Sequence, residues 1–405
     1  MSPAGSTRTL IRDYVLLAAA LALAGQWVLI HGILHMTFGP VWDTILPGLA
    51  IFGSAALLSW GAELAQMEIS QALALAFLAL VAVLPEYAVD MYLAWQAAKD
   101  PQYISYAAAN MTGANRLLIG MGWTAVLLAS WFSRRTTEIR LKPAQRLEIL
   151  VLLIATGYAF ILPLKRTLSI IDTVIFIGLF ALYIRAASKG HREEPGLAGP
   201  PERIAFLPRA WRRTVTLLLF LIPAGSIFLS AEPFADGLLQ NARHLGIEEF
   251  ILIQWLAPLA SESPEFVVAI IFALRNNATA GLGTLVSSKV NQWTLLVGML
   301  PLVYSISGGH LMPMALDHRQ TEELFLTAAQ SLLALVILAN LSFGWWEGLL
   351  LLGLFVLQFV FPSENVRILL GIGYLVIAGV YVLNRNFRRS LLDLFRLGWR
   401  AHESE

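Results

Sequence analysis

Apolar runs long enough to cross a lipid bilayer recur along the whole chain, and they constrain its fold more than any other feature. About 17 to 25 consecutive apolar residues span roughly 30 Å of hydrocarbon as a helix. Such runs fill a chain of 405 residues that is 57% hydrophobic and only 14% charged, outside the range of ordinary soluble domains. The sequence therefore predicts an all-α polytopic membrane protein without a separate globular domain.

Hydropathy predicts about twelve transmembrane helices. Their segments are 14–34, 42–66, 69–97, 103–132, 147–163, 168–187, 214–235, 247–274, 279–304, 324–341, 345–361 and 368–384. The loop at 134–146 carries five basic residues and one acidic residue, and the tail from Arg385 to Arg400 carries five basic residues and Asp393. Because cytoplasmic loops are enriched in Lys and Arg, we expect a multi-pass protein of the plasma membrane with both termini in the cytoplasm.

A polar stretch rich in Gly, Pro and charge, residues 188–213, divides the chain near its middle. We interpret it as a cytoplasmic linker between an N-terminal transmembrane half, 1–187, and a C-terminal half, 214–384. The basic tail that follows, 385–405, is predicted to form an amphipathic helix on the cytoplasmic leaflet.

The two halves share a pattern in opposite orientation. The segments "MEISQALALAFLALVAVLPEYAV" and "LGIEEFILIQWLAPLASESPEFVV" both begin with a short polar turn, continue as an apolar helix and reach Pro-Glu-aromatic. With twelve spans, the helix that holds Glu86 runs outward and the helix that holds Glu265 runs inward. The sequence thus predicts two inverted repeats, about 42–187 and 214–361, and inverted repeats with interrupted helices are typical of secondary transporters.

Charged residues inside these apolar helices need a specific reason to be there. A charge at the bilayer centre costs about 2.5 to 3.5 kcal/mol on insertion scales, yet Glu86, Glu262 and Glu265 are predicted at that depth. Pro85 and Pro264 remove backbone hydrogen bonds and free carbonyl groups beside these glutamates. Carboxylate and carbonyl oxygens are hard ligands that suit Na⁺, Ca²⁺ or a proton. The pattern therefore predicts a cation site at two helix breaks.

An alternative is that the glutamates are protonated and only hydrogen-bond to neighbouring helices. The repetition of the Pro-Glu pair in inverted context favours a cation site for Glu86 and Glu265, and favours it less for Glu262. We interpret Asp90 and Glu63 as interfacial residues, with a role in the cation site as the alternative.

These motifs resemble the membrane region of the sodium/calcium exchangers, the fold of the cation/Ca²⁺ exchanger superfamily. In that family each half carries Gly-Thr-Ser-x-Pro-Glu, followed by a helix with Gly-Ser-Asn-x-x-Asn or Asp. In the second half "ASESPE" (260–265) and "SSKVNQ" (287–292) correspond to these motifs. In the first half "VAVLPE" (81–86) and "GANRLL" (113–118) keep fewer motif residues. The resemblance covers roughly residues 42–361.

The resemblance implies a secondary active antiporter that exchanges Ca²⁺ or a related cation for Na⁺ or H⁺ by alternating access at a midplane site. It implies transported cations and the lipid bilayer as partners, with no cofactor and no nucleic acid, and it leaves the oligomeric state open. Carried over to this chain, the family's ligands are Glu86 and Glu265 for Ca²⁺ or Na⁺, with Ser261, Ser288 and Gln292 around them. Glu262 stands where the family has serine and adds a third predicted carboxylate ligand, and Asn110, Asn115 and Asn291 are predicted to support the site.

Departures from the family pattern keep two other functions open. Ala82 and Val83 replace hydroxyl or carbonyl-supporting positions, and Leu118 replaces an amide, so the first half is eroded. Erosion leaves open a transport-deficient membrane protein with a binding or structural role. A membrane-embedded enzyme with Glu262 and Glu265 as an acid/base pair would need a nucleophile or metal that the sequence does not offer, so we expect no enzymatic activity.

Lys289 stands beside Ser288 in place of the motif asparagine. Its ammonium group is predicted to substitute for one transported cation by pairing with Glu262 or Glu265, as intramembrane charges commonly do. The alternative is that Lys289 contacts another helix interface or extends toward the membrane edge.

Replacing Lys289 with Asn is expected to change ion selectivity or stoichiometry, because the substitution removes a fixed positive charge from the predicted site. The measurement compares cation fluxes of the variant and the unmodified protein in proteoliposomes. Unchanged fluxes and ion ratios in Lys289→Asn would refute the role of a substitute cation.

Overall fold

The computed structural model describes residues 7–36, 38–65, 67, 84–188, 197 and 199–398. Nearly all of the described chain is helical. The α-helices are α1 (Thr7–Trp27), α2 (Trp42–Ala65), α3 (Leu84–Ala97), α4 (Gln102–Leu117), α5 (Thr124–Arg134), α6 (Arg146–Ala159), α7 (Ile161–Lys165), α8 (Ile170–Ala187), α9 (Pro200–Ala205), α10 (Arg209–Leu245), α11 (Glu249–Leu274), α12 (Ala278–Asn291), α13 (Val297–Gly308), α14 (His318–Leu338), α15 (Trp345–Val360), α16 (Glu364–Leu383) and α17 (Arg385–Leu397).

Short elements of other types connect or extend these helices. The strands are β1 (Glu138–Arg140), β2 (Thr167–Leu168), β3 (Met314–Ala315) and β4 (Ser342–Gly344), the π-helical turns are Val28–Ile33, Leu118–Trp123 and Gln292–Leu296, and a 3-10 turn covers Pro143–Gln145.

Each of the twelve predicted transmembrane segments overlaps a described helix, although the segment 69–97 is described only from Leu84. Among the described residues, eight helices are long and apolar enough to cross a membrane, or nine if the two parts of α11 count as one span. The apolar helix α15 is shorter, with 16 residues. The all-α membrane fold is confirmed, and the count of twelve spans stays a prediction.

The chain divides into two compact units, each assembled from separate stretches of sequence. Unit 1 comprises Met1–Val89 and Arg192–Glu249, and unit 2 comprises Asp90–His191 and Phe250–Glu405. Each unit therefore takes residues from both predicted halves.

Close helix packing holds unit 1 together, with α2 lying against both α1 and α10. At Gly53 of α2 an added Cβ would lie 2.6 Å from Cβ of Leu23 and 2.8 Å from the carbonyl oxygen of Ala20. Only a residue without a side chain allows this approach, and small residues at helix contacts are the usual means of close packing in membranes. The short helix α9, within the predicted linker, also packs against α2, and its Ile204 is buried in the same apolar cluster as Leu57.

Helix α14 forms the centre of unit 2, where it packs against α4, α6 and α16, and most of its residues are buried. The tail helix α17 exists as the basic amphipathic pattern predicts. Its Leu394 is fully buried, whereas Leu392 and Phe395 are exposed, and the helix packs against α6 and α16. Part of the apolar side of α17 is thus buried against other helices of unit 2, and part is exposed.

Two small antiparallel sheets tie distant loops of unit 2 together. In the first, Ile139 of β1 is opposite Phe343 of β4, and in the second, Leu168 of β2 is opposite Met314 of β3. The twelve-span topology puts β1 and β4 on the cytoplasmic side and β2 and β3 on the outer side. Each sheet therefore joins loops that this topology assigns to one side.

The absence of cysteine from the sequence allows this topology to be tested with single introduced cysteines. The exposed positions 140 and 310 are separated by five predicted spans and are expected on opposite sides. A membrane-impermeant maleimide should label His310→Cys in intact cells and Arg140→Cys only after permeabilisation. Labelling of both variants from outside would contradict the predicted topology.

Candidate functional site

Helix α11 is sharply bent at the "ESPE" sequence of the second half. The segment that ends at Ser263 and the segment that begins at Glu265 differ in direction by 54°. Pro264, between them, has no N–H to donate to the preceding turn, which is the usual cause of such a bend. Glu262 and Glu265 therefore lie on the two sides of a helix break, where backbone carbonyl groups are released from the regular hydrogen-bond pattern.

Three carboxylates of unit 2 converge near this bend. Glu262 is 2% exposed and Asp90 of α3 is fully buried. Glu262 lies close enough to both Asp90 and Glu265 for direct electrostatic repulsion between the carboxylates. Because like charges in a buried site repel strongly, this arrangement favours occupation by cations or protons.

Side-chain amides hold two of these carboxylates in place. Nδ2 of Asn110 donates a hydrogen bond to Oδ1 of Asp90 at 2.9 Å, and Nε2 of Gln292 donates to Oε1 of Glu262. Oδ2 of Asp90 and Oε2 of Glu265 are buried and accept no hydrogen bond from any described residue. These two oxygens are therefore candidates to contact a cation, and the amides fix Asp90 and Glu262 without neutralising them.

Asp90, for which the sequence left both an interfacial position and a cation site open, is buried within unit 2. It lies four residues after Glu86 in α3, so that both project from the same side of the helix. That spacing was the available signal. Glu86 is itself buried, with 3% exposure, and belongs to unit 1. Pro85 is the second residue of α3, and Ala82 and Val83 lie outside the described residues.

The two helices that carry the amide motifs change their winding at equivalent positions. Helix α4 passes into a π-helical turn at Leu118, and α12 passes into one at Gln292. π-Helical turns inside α-helices are rare and frequently mark functional sites. Their occurrence directly after the corresponding motif in both halves is consistent with the internal repeat that the sequence predicts.

Lys289 connects the two motif helices. Its side chain is fully buried, and Nζ donates to Oδ1 of Asn115 at 3.0 Å and to the carbonyl oxygen of Asn115 at 3.5 Å. Nζ also lies 5.1 Å from the centre of the Trp293 ring. These contacts place the amine of Lys289 between α4 and α12. Its predicted pairing with Glu262 or Glu265 stays a prediction.

The remaining predicted residues have different local surroundings. Ser261 is buried and its hydroxyl donates to the carbonyl oxygen of Ala257 in the same helix at 3.2 Å. Ser288 and Asn291 are buried in α12, and Oδ1 of Asn291 accepts no hydrogen bond within the described part of the chain. The Asn291 oxygen is thus a further candidate ligand, whereas Ser261 stabilises its own helix.

Glycine allows α4 to approach α11 closely. A Cβ added to Gly113 would lie 1.8 Å from the carbonyl oxygen of Gln254, so any side chain at this position would collide with the α11 backbone. Gly113 is one of the residues that the first-half motif retains. This contact positions the helix with Asn110 and Asn115 beside the helix with Glu262 and Glu265.

Arg116, which sequence reasoning passed over, is the centre of a buried ion-pair network in unit 2. Its Nη2 lies 2.5 Å from Oε2 of Glu323, and both side chains are at least 97% buried. The guanidinium also lies 5.2 Å from the Trp255 ring centre, and Nη1 donates to Oε1 of Gln358 at 3.4 Å. The sequence did contain a signal for this ion pair, because an arginine inside the apolar run after "GAN" needs an acidic partner.

The chain matches known proteins across both of its predicted halves. The model of the family described as sodium/calcium exchanger protein matches residues 41–189 and 215–364. The solved structure of the H⁺/Ca²⁺ exchanger CAX is 42% identical, with a TM-score of 0.93, and the match covers 97% of this chain and 99% of that protein.

More distant relatives share the fold. The structure of the sodium-calcium exchanger NCX_Mj is 18% identical with a TM-score of 0.54, and the match covers 80% of this chain and 99% of that one. The sodium/calcium exchanger MaX1 of Methanosarcina acetivorans is 24% identical over 144 residues, which are 35% of this chain and 38% of the relative. The matched region thus spans well under half of that curated relative.

The Arg116–Glu323 pair is expected to matter for stability mainly when only one partner is removed. Arg116→Met should lower the free energy of unfolding by about 3 to 5 kcal/mol, because it leaves the buried Glu323 carboxylate without its closest positive charge. The double variant Arg116→Met/Glu323→Leu should recover most of that loss. Chemical unfolding in detergent micelles measures both, and a double variant as unstable as the single one would contradict this account.

Proposed function

The chain belongs to the sodium/calcium exchanger protein family, and we propose that it is a secondary active antiporter that exchanges Ca²⁺ for H⁺. The members to which it is similar are transporters rather than enzymes, and a multi-pass membrane protein of this family exchanges cations. The observation that carries the choice of ions is the 42% identity to the H⁺/Ca²⁺ exchanger CAX over 97% of the chain. We further propose the plasma membrane as its location, with both termini in the cytoplasm.

The chemistry of the carboxylate cluster supports exchange of Ca²⁺ for protons. Ca²⁺ binds carboxylate, carbonyl and amide oxygens, and Asp90, Glu262, Glu265 and the Asn291 amide offer such oxygens. A carboxylate that releases Ca²⁺ in an apolar interior is left with an uncompensated charge, which a proton removes. Competition of Ca²⁺ and protons for the same oxygens couples the two fluxes without a separate proton site.

The replacement of a motif asparagine by Lys289 favours protons over Na⁺ as the coupling ion. Lys289 occupies a motif position where the family has asparagine, and its buried amine binds Asn115 of the other motif. Lysine has no acceptor oxygen, so this replacement removes an amide oxygen that could have bound Na⁺. A proton binds covalently to a single carboxylate and requires no coordination shell of several ligands.

Alternating access supplies the transport step of the proposal. Glu86 and Glu265 are the proposed central ligands of the two inverted halves, each next to a proline. Exchange of conformation between related halves opens one site to each side in turn. Under this proposal the glutamates at the helix breaks bind the transported cation.

The test is Ca²⁺ uptake into proteoliposomes under an imposed pH gradient and, separately, under an imposed Na⁺ gradient. We expect uptake with the pH gradient and none with the Na⁺ gradient. Glu265→Gln should reduce uptake to the level of protein-free liposomes, because the amide keeps the shape but cannot exchange a proton. The exposed Glu202 provides a matched control, and Glu202→Gln should transport normally.

The other outcomes are equally informative. Uptake that depends only on Na⁺ would keep the antiporter and overturn the coupling ion. No uptake under either gradient would favour the transport-deficient function that the eroded first half leaves open.

A further inference from the structure

A second group of potential ligands lies in unit 2 where α14 and α16 begin. His318 and Glu322 are four residues apart in α14, which places them on one side of the helix, and Glu364 is the first residue of α16. Nδ1 of His318 lies 2.5 Å from Oε1 of Glu322 and 3.9 Å from Oε1 of Glu364. One ligand atom from each residue falls within 4.8 Å of the others.

The buried member of this group is oriented by an arginine. Glu322 is 93% buried, and its Oε2 accepts hydrogen bonds from Nε and Nη2 of Arg367 at 3.0 and 2.7 Å. Its other oxygen, Oε1, faces His318 but accepts no hydrogen bond of regular geometry from any described residue. Nδ1 of His318 lies 2.5 Å from this Oε1, so a buried carboxylate oxygen and an imidazole nitrogen, both metal-ligating groups, face each other at the edge of the protein.

The group opens into a cavity of about 350 Å³ that is lined by His318, Arg319, Glu322, Glu364 and Arg367. The side chains of His318 and Glu364 are exposed by 62% and 59%. They can therefore turn toward Glu322 at little cost in packing, and an ion can enter from solvent.

We propose that His318, Glu322 and Glu364 form a binding site for a divalent transition-metal ion such as Zn²⁺. Zn²⁺ binds imidazole nitrogen at about 2.0 to 2.1 Å and carboxylate oxygen at about 2.0 to 2.2 Å, and its open sites combine three protein ligands with water at the fourth position. Imidazole nitrogen suits Zn²⁺ and related metals, whereas Ca²⁺ takes about six to eight oxygen ligands. Arg367 does not bind the metal in this proposal but orients a ligand, because it donates hydrogen bonds to Oε2 of Glu322 and leaves Oε1 of Glu322 to the metal.

A metal at this site would join the beginnings of α14 and α16. Arg367 also lies 3.8 Å from Oε1 of Glu323, the residue that pairs with Arg116. The site is therefore adjacent to the buried ion-pair network and is built from residues other than the proposed Ca²⁺ ligands. With twelve spans, His318 and Glu364 both lie on the outer side of the membrane, where the site would respond to external metal.

The test is a calorimetric titration of the purified protein, without an affinity tag, with Zn²⁺. Excess Ca²⁺ is present throughout, so that sites built only from oxygen ligands are already occupied. We expect one Zn²⁺ per chain. His318→Gln and Glu364→Gln should each weaken binding by about 10-fold or more, and both positions are exposed enough for the variants to fold. His310→Gln, which removes another exposed histidine, should bind as the unmodified protein does.

Absence of Zn²⁺ binding by the unmodified protein would overturn the proposal. Unchanged affinity in both His318→Gln and Glu364→Gln would also overturn it, because any bound metal would then lie elsewhere. The readout is binding rather than transport, so its result does not depend on whether the protein exchanges Ca²⁺ for H⁺.

Discussion

A charge buried among apolar helices must be matched by an opposite charge, a hydrogen-bond donor or a bound ion, and this requirement organises unit 2. Two of its carboxylates, Glu322 and Glu323, are matched by arginine. Asp90 instead accepts a hydrogen bond from the neutral amide of Asn110. Amide donors reduce the cost of burying a carboxylate but leave its charge in place, so the amide-bound group retains a demand for a cation or a proton.

The two kinds of partner, arginine and neutral amide, distinguish carboxylates with a structural role from carboxylates suited to binding a transported cation. The Arg116–Glu323 pair carries its own countercharge and joins α4 to α14, which is a structural role. Asp90 and Glu265 each have a buried oxygen that no described residue satisfies, beside a helix bent by 54°. A site whose countercharge is not built into the protein is suited to a countercharge that comes and goes, which is what an antiporter requires.

Much of this arrangement follows from sequence, for physical reasons that can be named. Helices of membrane length follow from apolar runs, and the break in α11 follows from Pro264, because proline acts locally. The burial of Asp90 and Arg116 does not follow from sequence, because it depends on which helices pack against α3 and α4, and a single sequence does not reveal that packing. The two short strand pairs do not follow from sequence for a similar reason, since they are formed by loops that are far apart in the chain.

The structure adds polar groups of the first half that the motif comparison does not identify. Motif residues are lost around Glu86, yet Asp90 and Asn110 supply a carboxylate and an amide from the same half, and their contact is invisible in a motif comparison. The Asn115–Lys289 contact joins a retained motif residue to a departure from the motif. The two halves therefore differ in their ligands while both contribute polar groups.

The most direct test of this account is the number of protons released when Ca²⁺ binds the purified protein. Calorimetry in buffers with different ionisation enthalpies gives that number at a fixed pH. The account predicts net proton release that falls in Glu262→Gln and Glu265→Gln, because Ca²⁺ and protons occupy the same carboxylates. Ca²⁺ binding with no proton release in the unmodified protein would contradict it.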